Sequence, residues 1–385
     1  MNIFSYNLIL YFFYPIIFLI GLLRLILKKE NYLSFQQKFF ANHDYSKFKK
    51  VNIIIHFASI GELNSIKILL DKLNNEEILL TCTTLSSYYL SKEKYPHINI
   101  IFLPIDFQWN VNKFILNNNL EKILWVDSEI WPNWLNCSKK NKIKNILVNG
   151  RLSKKSFANW NKLKFFSKNL GKKYELIFAK SVEDKDRLCE VFQSKVNYFG
   201  NLKFYLDVSI PKNKKNHLCF ASIHKAEFEI IIKIITKLDL NLFESITIIP
   251  RHIQYSNDLR TMLGDDLRNK INIHNKFGGS QTIFDKSKIV FMGGSLINHG
   301  GQNPLEALAR GCYIVSGEYN YNFRDQYLDL KRLNLATIVN NDISNISSKI
   351  KYLVDLNFDN SNLIVNYFKD NKKNLNKIIE MIKEC

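Results

Sequence analysis

The sequence predicts an α/β fold with two doubly wound, mostly parallel sheets. Three observations carry this. Short apolar runs rich in Ile, Val and Leu alternate with longer helical patterns. The alternation stops at a polar, basic stretch, DVSIPKNKKN at residues 207–216, and then restarts. The chain of 385 residues is long enough for two domains of ordinary size.

The strands are read in order. VNIIIHF at residues 51–57 reads as a buried strand, with a helix over 62–73 after it. Further strand runs lie at 78–83, 98–103, 122–126, 144–148 and 176–179. After the basic stretch they recur at 217–221, 245–249, 271–274, 289–292 and 313–315. The expected organisation is therefore a hydrophobic segment at 1–29, a first Rossmann-like domain at 30–206, a linker at 207–216 and a second Rossmann-like domain at 217–385. Open α/β sheets bind ligands beyond the carboxyl ends of their strands, so two of them would line a cleft.

Residues 3–27 are almost wholly apolar, and Arg24, Lys28 and Lys29 close the segment. No charged stretch precedes it and no small-residue cleavage site follows, which argues against a cleaved signal peptide. The reading is an anchor, spanning or lying in one leaflet, with the body on the cytoplasmic side. Net charge is +19, from 54 Lys and Arg against 35 Asp and Glu. Such a field favours anionic partners. No zinc spacing or RNP-like motif is present, so a membrane surface is favoured over nucleic acid. The six cysteines are scattered without a CxxC, as expected for reduced thiols.

Several loops carry candidate chemistry. Glu62, at the start of a helix after Gly61, suits either the helix dipole or a general base. Asp127 and Glu129 follow a strand, where they serve a site or the entry of the helix at Pro132. Lys203 precedes the linker, and Arg251 follows Pro250 at a strand end; each is a phosphate ligand or a solvated cation. Met292, Gly293, Gly294 and Ser295 lead from a strand into a glycine-rich loop. Asn303, Pro304, Leu305 and Glu306 read as helix cap and first turn, where amides favour an anion. Glu306 completes a capping-box spacing or accepts bonds from ribose hydroxyls. The loop is neither a Walker loop nor GxGxxG, which argues against kinases and nicotinamide dehydrogenases.

Taken in order, the segments resemble the Kdo transferases, Kdo being 3-deoxy-D-manno-oct-2-ulosonic acid. HFASIGE (56–62), LLTCTTLSS (79–87), FLPIDF (102–107), DSEIWPN (127–133) and NGRLSKKS (149–156) resemble the family's motifs. So do GNLKF (200–204), ASIHKAE (221–227), PRH (250–252), and GGS with HGGQNPLE (293–306). The resemblance implies a GT-B fold and inverting transfer of Kdo from CMP-Kdo onto the lipid A precursor, lipid IVA, in lipopolysaccharide synthesis. It implies no metal or other cofactor, and a place on the cytoplasmic side of the inner membrane. By the same resemblance Glu62 is the general base, and Glu129 and Lys203 support the transition state. Pro250, Arg251, Met292, Gly293, Gly294, Ser295, Asn303, Pro304, Leu305 and Glu306 hold CMP. The chain departs from the pattern at Asp127-Ser128, Gly150, Lys225-Ala226 and Gln302. The alternatives are a GT-B enzyme using a UDP-sugar, or a non-catalytic basic protein at a membrane surface.

Overall fold

The computed structural model describes residues 1–73, 78–212, 214–276, 278–356 and 360–385. The chain forms two units, Met1–Tyr205 with Asn371–Cys385, and Leu206–Asp370. The first holds a parallel sheet of β1 (Ile53–Phe57), β2 (Ile78–Cys82), β3 (Asn99–Phe102), β4 (Lys122–Val126), β5 (Lys144–Gly150) and β6 (Tyr174–Ala179), in the order β3-β2-β1-β4-β5-β6. All five residues of β1 and all five of β2 are buried, as expected for strands covered on both faces. Trp125, Trp134 and Phe114 are fully enclosed in the core of this unit. The helix Pro132–Lys140 begins on Asp106, whose carboxylate accepts the amides of Asn133 and Trp134 at 3.0 and 2.9 Å.

The second unit repeats the arrangement. Its strands are β7 (His217–Ile223), β8 (Ser245–Pro250), β9 (Ile271–Ile273), β10 (Ser287–Met292), β11 (Tyr313–Ser316) and β12 (Ala336–Ile338). Their order is β12-β11-β10-β7-β8-β9, all parallel, the same winding as in the first unit. In each sheet the order reverses beside the first strand, between β1 and β4 and between β7 and β10. Ligands bind at such reversals.

The structure corrects several expectations. The three-residue β12 lies in the short run LATIV at 335–339, which the sequence reading passed over. The helix expected over 62–73 is two, Ile60–Ser65 and Lys67–Lys72. The break falls where the Ser65 hydroxyl donates to the Glu62 carbonyl at 2.7 Å, a local bond that competes with the helix. The stretch read as a linker at 207–216 belongs to the second unit, apart from Asn213, which lies outside the described residues. The Ser209 amide donates to the Ala309 carbonyl at 3.0 Å, and Ile210 fills the space left by the missing side chain of Gly311. The last fifteen residues do not stay with the second domain. The helix Ser361–Glu384 ends in the first unit, where Leu375, Ile378, Ile379 and Ile382 are buried and Lys122 Nζ donates to the Ile382 carbonyl at 2.8 Å.

His217 opens β7 with its ring buried between Ser287 Oγ at 2.7 Å and Thr247 Oγ1 at 2.8 Å. Burial, with help from Lys286 and Lys214, lowers it from 6.5 to about 4. The folded state therefore takes up this proton less readily than the unfolded chain. Its contribution to stability is present above pH 6.5 and is lost as pH falls toward 4. Chemical denaturation at pH 7 and pH 4.5 is expected to show a smaller pH loss for His217→Gln than for the wild type; equal losses would contradict this assignment.

Candidate active site

In the first unit the chain leaves β1 through Ala58 and Ser59, and leaves β4 through Asp127 and Ser128, so both loops open at the sheet's reversal point. Ser59 caps the helix Ile60–Ser65 by accepting the Glu62 amide at 3.3 Å. Glu62 is half-buried. Its Oε2 accepts the Ala58 amide at 2.6 Å, and its Oε1 accepts the Ser59 hydroxyl at 3.0 Å. Burial pushes this carboxyl above its ordinary range, and the charges of Asp127 and Glu129 push the same way; the Ala58 and Ser59 bonds offset only part. Gly61 beside it is exposed and open, with no protein atom closer than 3.8 Å to where a Cβ would stand.

Glu129 goes the other way. Burial alone would raise its carboxyl, but His56 and Trp131 outweigh that and hold it below the ordinary range. Trp131 Nε1 donates to Glu129 Oε2 at 2.6 Å, and His56 Nε2 lies 3.3 Å from the same oxygen. His56 is fully buried on β1, and its Nδ1 sits 2.9 Å from Thr81 Oγ1 on β2. Two neighbouring carboxyls thus have opposite tendencies, one more basic and one kept ionised, the pattern that separates acid–base work from electrostatic support.

Lys203 lies in the short turn Leu202–Phe204. Asn201 Oδ1 accepts the Lys203 amide at 3.0 Å, and Asn149 Oδ1, from the end of β5, accepts the Leu202 amide at 3.1 Å. This turn packs on the helix that carries Glu62. The structure therefore gathers Glu62, Glu129 and Lys203 at one end of one sheet. It adds His56 and Lys180, to which the sequence reading gave no role, and it gives Asp127 a partner. His56 stands in a quoted motif without a role. Asp127 adopts a left-handed backbone, φ 66°, and its Oδ2 stands 3.7 Å from Lys180 Nζ, with both side chains largely enclosed. No local pattern marks Lys180.

In the second unit, Pro250 ends β8 and Arg251 follows it exposed, its amide bonded to the Ile223 carbonyl at 2.8 Å. The Met292, Gly293, Gly294 and Ser295 segment leaves β10 beside the end of β7. A Cβ on Gly293 would lie 2.4 Å from the Ser222 carbonyl oxygen, so only glycine fits. The amides of this loop are not free. Gly294 donates to Glu227 Oε2 at 2.7 Å, and Ser295 and Leu296 donate to Glu227 Oε1 at 3.1 Å. Glu227 is fully buried and also accepts the His224 amide at 3.0 Å. An internal carboxylate occupies the nest of amides that the glycines suggested for a phosphate.

The groups left facing outward are side chains. His224 packs against His299, ring centres 4.0 Å apart, and against His252 at 6.1 Å. Burial lowers His224 to about 4, with His299, Arg251 and His252 adding to it, so near neutral pH its ring is uncharged. Gln302 Nε2 lies 3.2 Å from His224 Nε2. Asn303 Oδ1 accepts the Leu305 amide at 3.2 Å, as a cap residue does two positions ahead, and Pro304 already has helical dihedrals before the short helix Leu305–Leu308. Glu306 is exposed in its first turn and takes no part in that cap.

The family model for 3-deoxy-D-manno-octulosonic-acid transferase (kdotransferase) matches residues 33–206. A 3-deoxy-D-manno-octulosonic acid transferase of Rickettsia bellii is 30% identical, covering 93% of this chain and 92% of that protein. One of Aquifex aeolicus is 27% identical, covering 70% and 77%. A bifunctional glycosyltransferase/methyltransferase of Fusobacterium nucleatum is 28% identical over 89% of this chain, which spans 60% of that protein's length. Among solved structures, a glycosyltransferase from Rickettsia africae aligns with TM-score 0.60 at 14% identity, covering 88% of this chain and 99% of that one. The Anabaena HepE protein in complex with UDP aligns with TM-score 0.62 at 12% identity, covering 87% and 100%. These two likenesses concern the fold alone, two Rossmann-like units of the GT-B class.

Proposed function

Because the chain belongs to the 3-deoxy-D-manno-octulosonic-acid transferase family of glycosyltransferases, we propose that it moves Kdo from CMP-Kdo onto lipid IVA, with inversion, at the cytoplasmic side of the inner membrane. The observation that carries the mechanism is the divergence of Glu62 and Glu129. Glu62, pushed up, takes the proton of the acceptor hydroxyl as that oxygen bonds to the anomeric carbon. The bond from that carbon to the phosphate oxygen breaks, and its electron pair leaves with CMP. Glu129 stays ionised and supports the oxocarbenium-like state, on which positive charge develops. Lys203 supports the same state from the adjoining turn.

CMP departs as an anion, and Arg251 is an exposed cation at the strand ends of the second unit. Neutral His224, with Gln302 and Asn303, supplies hydrogen bonds, and exposed Glu306 is free to accept from ribose hydroxyls. Met292, Gly293, Gly294, Ser295, Pro304 and Leu305 shape the floor beneath CMP. In this scheme no metal or other cofactor takes part, so dialysis against EDTA is expected to leave the rate within about twofold; the scheme fails if activity is lost and a divalent ion restores it.

The direct test incubates detergent-solubilised protein with CMP-Kdo, generated in place, and lipid IVA, and reads the lipid by mass spectrometry. Addition of one or more Kdo units is expected. CMP near 100 times its dissociation constant is expected to raise the melting temperature by about 5–10 °C, and UDP by much less. A larger shift with UDP would favour a UDP-sugar donor. Failure to bind CMP and to add Kdo would reject the proposal.

A further inference from the structure

The helix Ile3–Ile26 has the length and mean hydropathy, 2.3, of a membrane-crossing segment. Length and composition do not say how it meets the bilayer. Its contacts with the first unit do.

One face of the helix is fastened to the body near both ends. Toward its start, Tyr6 Oη donates to Asp106 Oδ2 at 2.9 Å. Asn7 Nδ2 donates to Gln108 Oε1 at 3.0 Å, and Asn7 Oδ1 accepts from Asn133 Nδ2 at 2.6 Å. Midway, Tyr14 meets Phe107 and Trp109 edge-on, and Phe18 meets Phe35 and Phe39. Toward its end, Gly21 lies so close to Phe39 that a Cβ would stand 2.4 Å from that ring. Beyond it Arg24 reaches Glu30, which also holds Lys38 Nζ at 2.8 Å. From Tyr6 to Gly21 this is about 22 Å of helix at 1.5 Å per residue.

The opposite face is bare. Leu8, Phe12, Ile16, Leu19, Leu23 and Ile26 recur at helical spacing and are all more than half exposed. The sequence has no charged side chain between residues 3 and 23, and Arg24, Lys28 and Lys29 then follow together. A helix that is apolar all round must be covered all round. Here protein covers one side and leaves the other for something equally apolar.

We infer that this helix lies in the plane of one leaflet, with its Leu8–Phe12–Ile16–Leu19 face in the acyl region and its Tyr6–Asn7–Tyr14–Gly21 face kept on the protein. Crossing a bilayer requires about 20 residues surrounded by some 30 Å of hydrocarbon. One face of this helix is already tied to the rest of the first unit, through Tyr6, Asn7, Tyr14, Phe18, Gly21 and Arg24. To cross, it must peel away, breaking the Asp106 and Gln108 bonds and placing Asn7 and Tyr6 in lipid without partners. The partner is an anionic phospholipid surface, matched by the basic cluster at the helix end and by the net charge of +19. The inference goes beyond the proposed reaction and holds whichever sugar is transferred.

The test is one of topology and needs no activity. Full-length protein with a protease-cleavable tag ahead of Met1 is expected to lose the tag in inside-out membrane vesicles and to keep it in right-side-out ones. Cleavage in right-side-out vesicles alone would overturn the inference, because a spanning helix puts its first residue across the bilayer from the body. In parallel, Phe12→Asp with Leu19→Asp is expected to cut flotation on phosphatidylethanolamine–phosphatidylglycerol vesicles at least tenfold, with the melting temperature unchanged. Flotation at the wild-type level would overturn it. So would a loss of self-association without a loss of flotation, which assigns the face to a second copy of the chain.

Discussion

Glu62→Gln is expected to lower kcat roughly 100- to 10,000-fold, the range supplied by a positioned general base. Gln keeps an oxygen for the Ala58 amide but takes no proton. Stability is expected to move the other way, and this separates loss of chemistry from loss of fold. Burial raises the Glu62 carboxyl, so the folded state holds the proton more tightly than the unfolded chain. That contribution is full below the unfolded pKa near 4.3 and is lost as pH rises through the folded value. Above the unfolded pKa the raised carboxyl therefore costs stability, and Gln removes the cost. Transfer kinetics alongside thermal melts check both: an inactive variant with an unchanged or higher melting temperature is expected. Near-normal kcat would remove Glu62 from the reaction.

Glu227→Ala is expected to be the most damaging single change in the second unit. Four backbone amides, those of His224, Gly294, Ser295 and Leu296, lose their acceptor in a fully buried place. Unpaired buried donors and lost bonds to a charged acceptor together cost roughly 3 kcal/mol or more. For a unit of this size that lowers the melting temperature by about 6–12 °C. The glycine loop beyond β10 is also expected to lose its shape, so the stabilisation by CMP should shrink with it. Glu227→Gln, which keeps one acceptor oxygen, should fall between. A variant that melts with the wild type and binds CMP equally well would show that the loop holds itself without the carboxylate.

The same residue marks how far the sequence reaches. The strands were legible because each is buried on both faces and so reads as an unbroken apolar run, as IIIHF in β1 does. The glycines after β10 were legible as a place of close approach, and Gly293 makes one to the chain's own backbone at Ser222. The use of their amides was not legible. Glu227 lies 67 positions from Gly294, and its spacing from His224 resembles any helix entry. For the same reason the pairing of Asp127 with Lys180 and the placing of His56 beside Glu129 have no local signature.

The sequence by itself determined the two wound sheets, the break between them, the apolar first helix, and the candidate carboxylates and glycine loop. These follow from periodicity, from glycine and proline, and from charge, all properties of neighbouring residues. Tertiary structure alone decided what those parts touch. It set Glu62 and Glu129 in opposite environments, returned residues 371–385 to the first unit, and turned one face of the first helix onto protein. Burial and long-range hydrogen bonds depend on which elements meet, and that is settled only when the whole chain has folded.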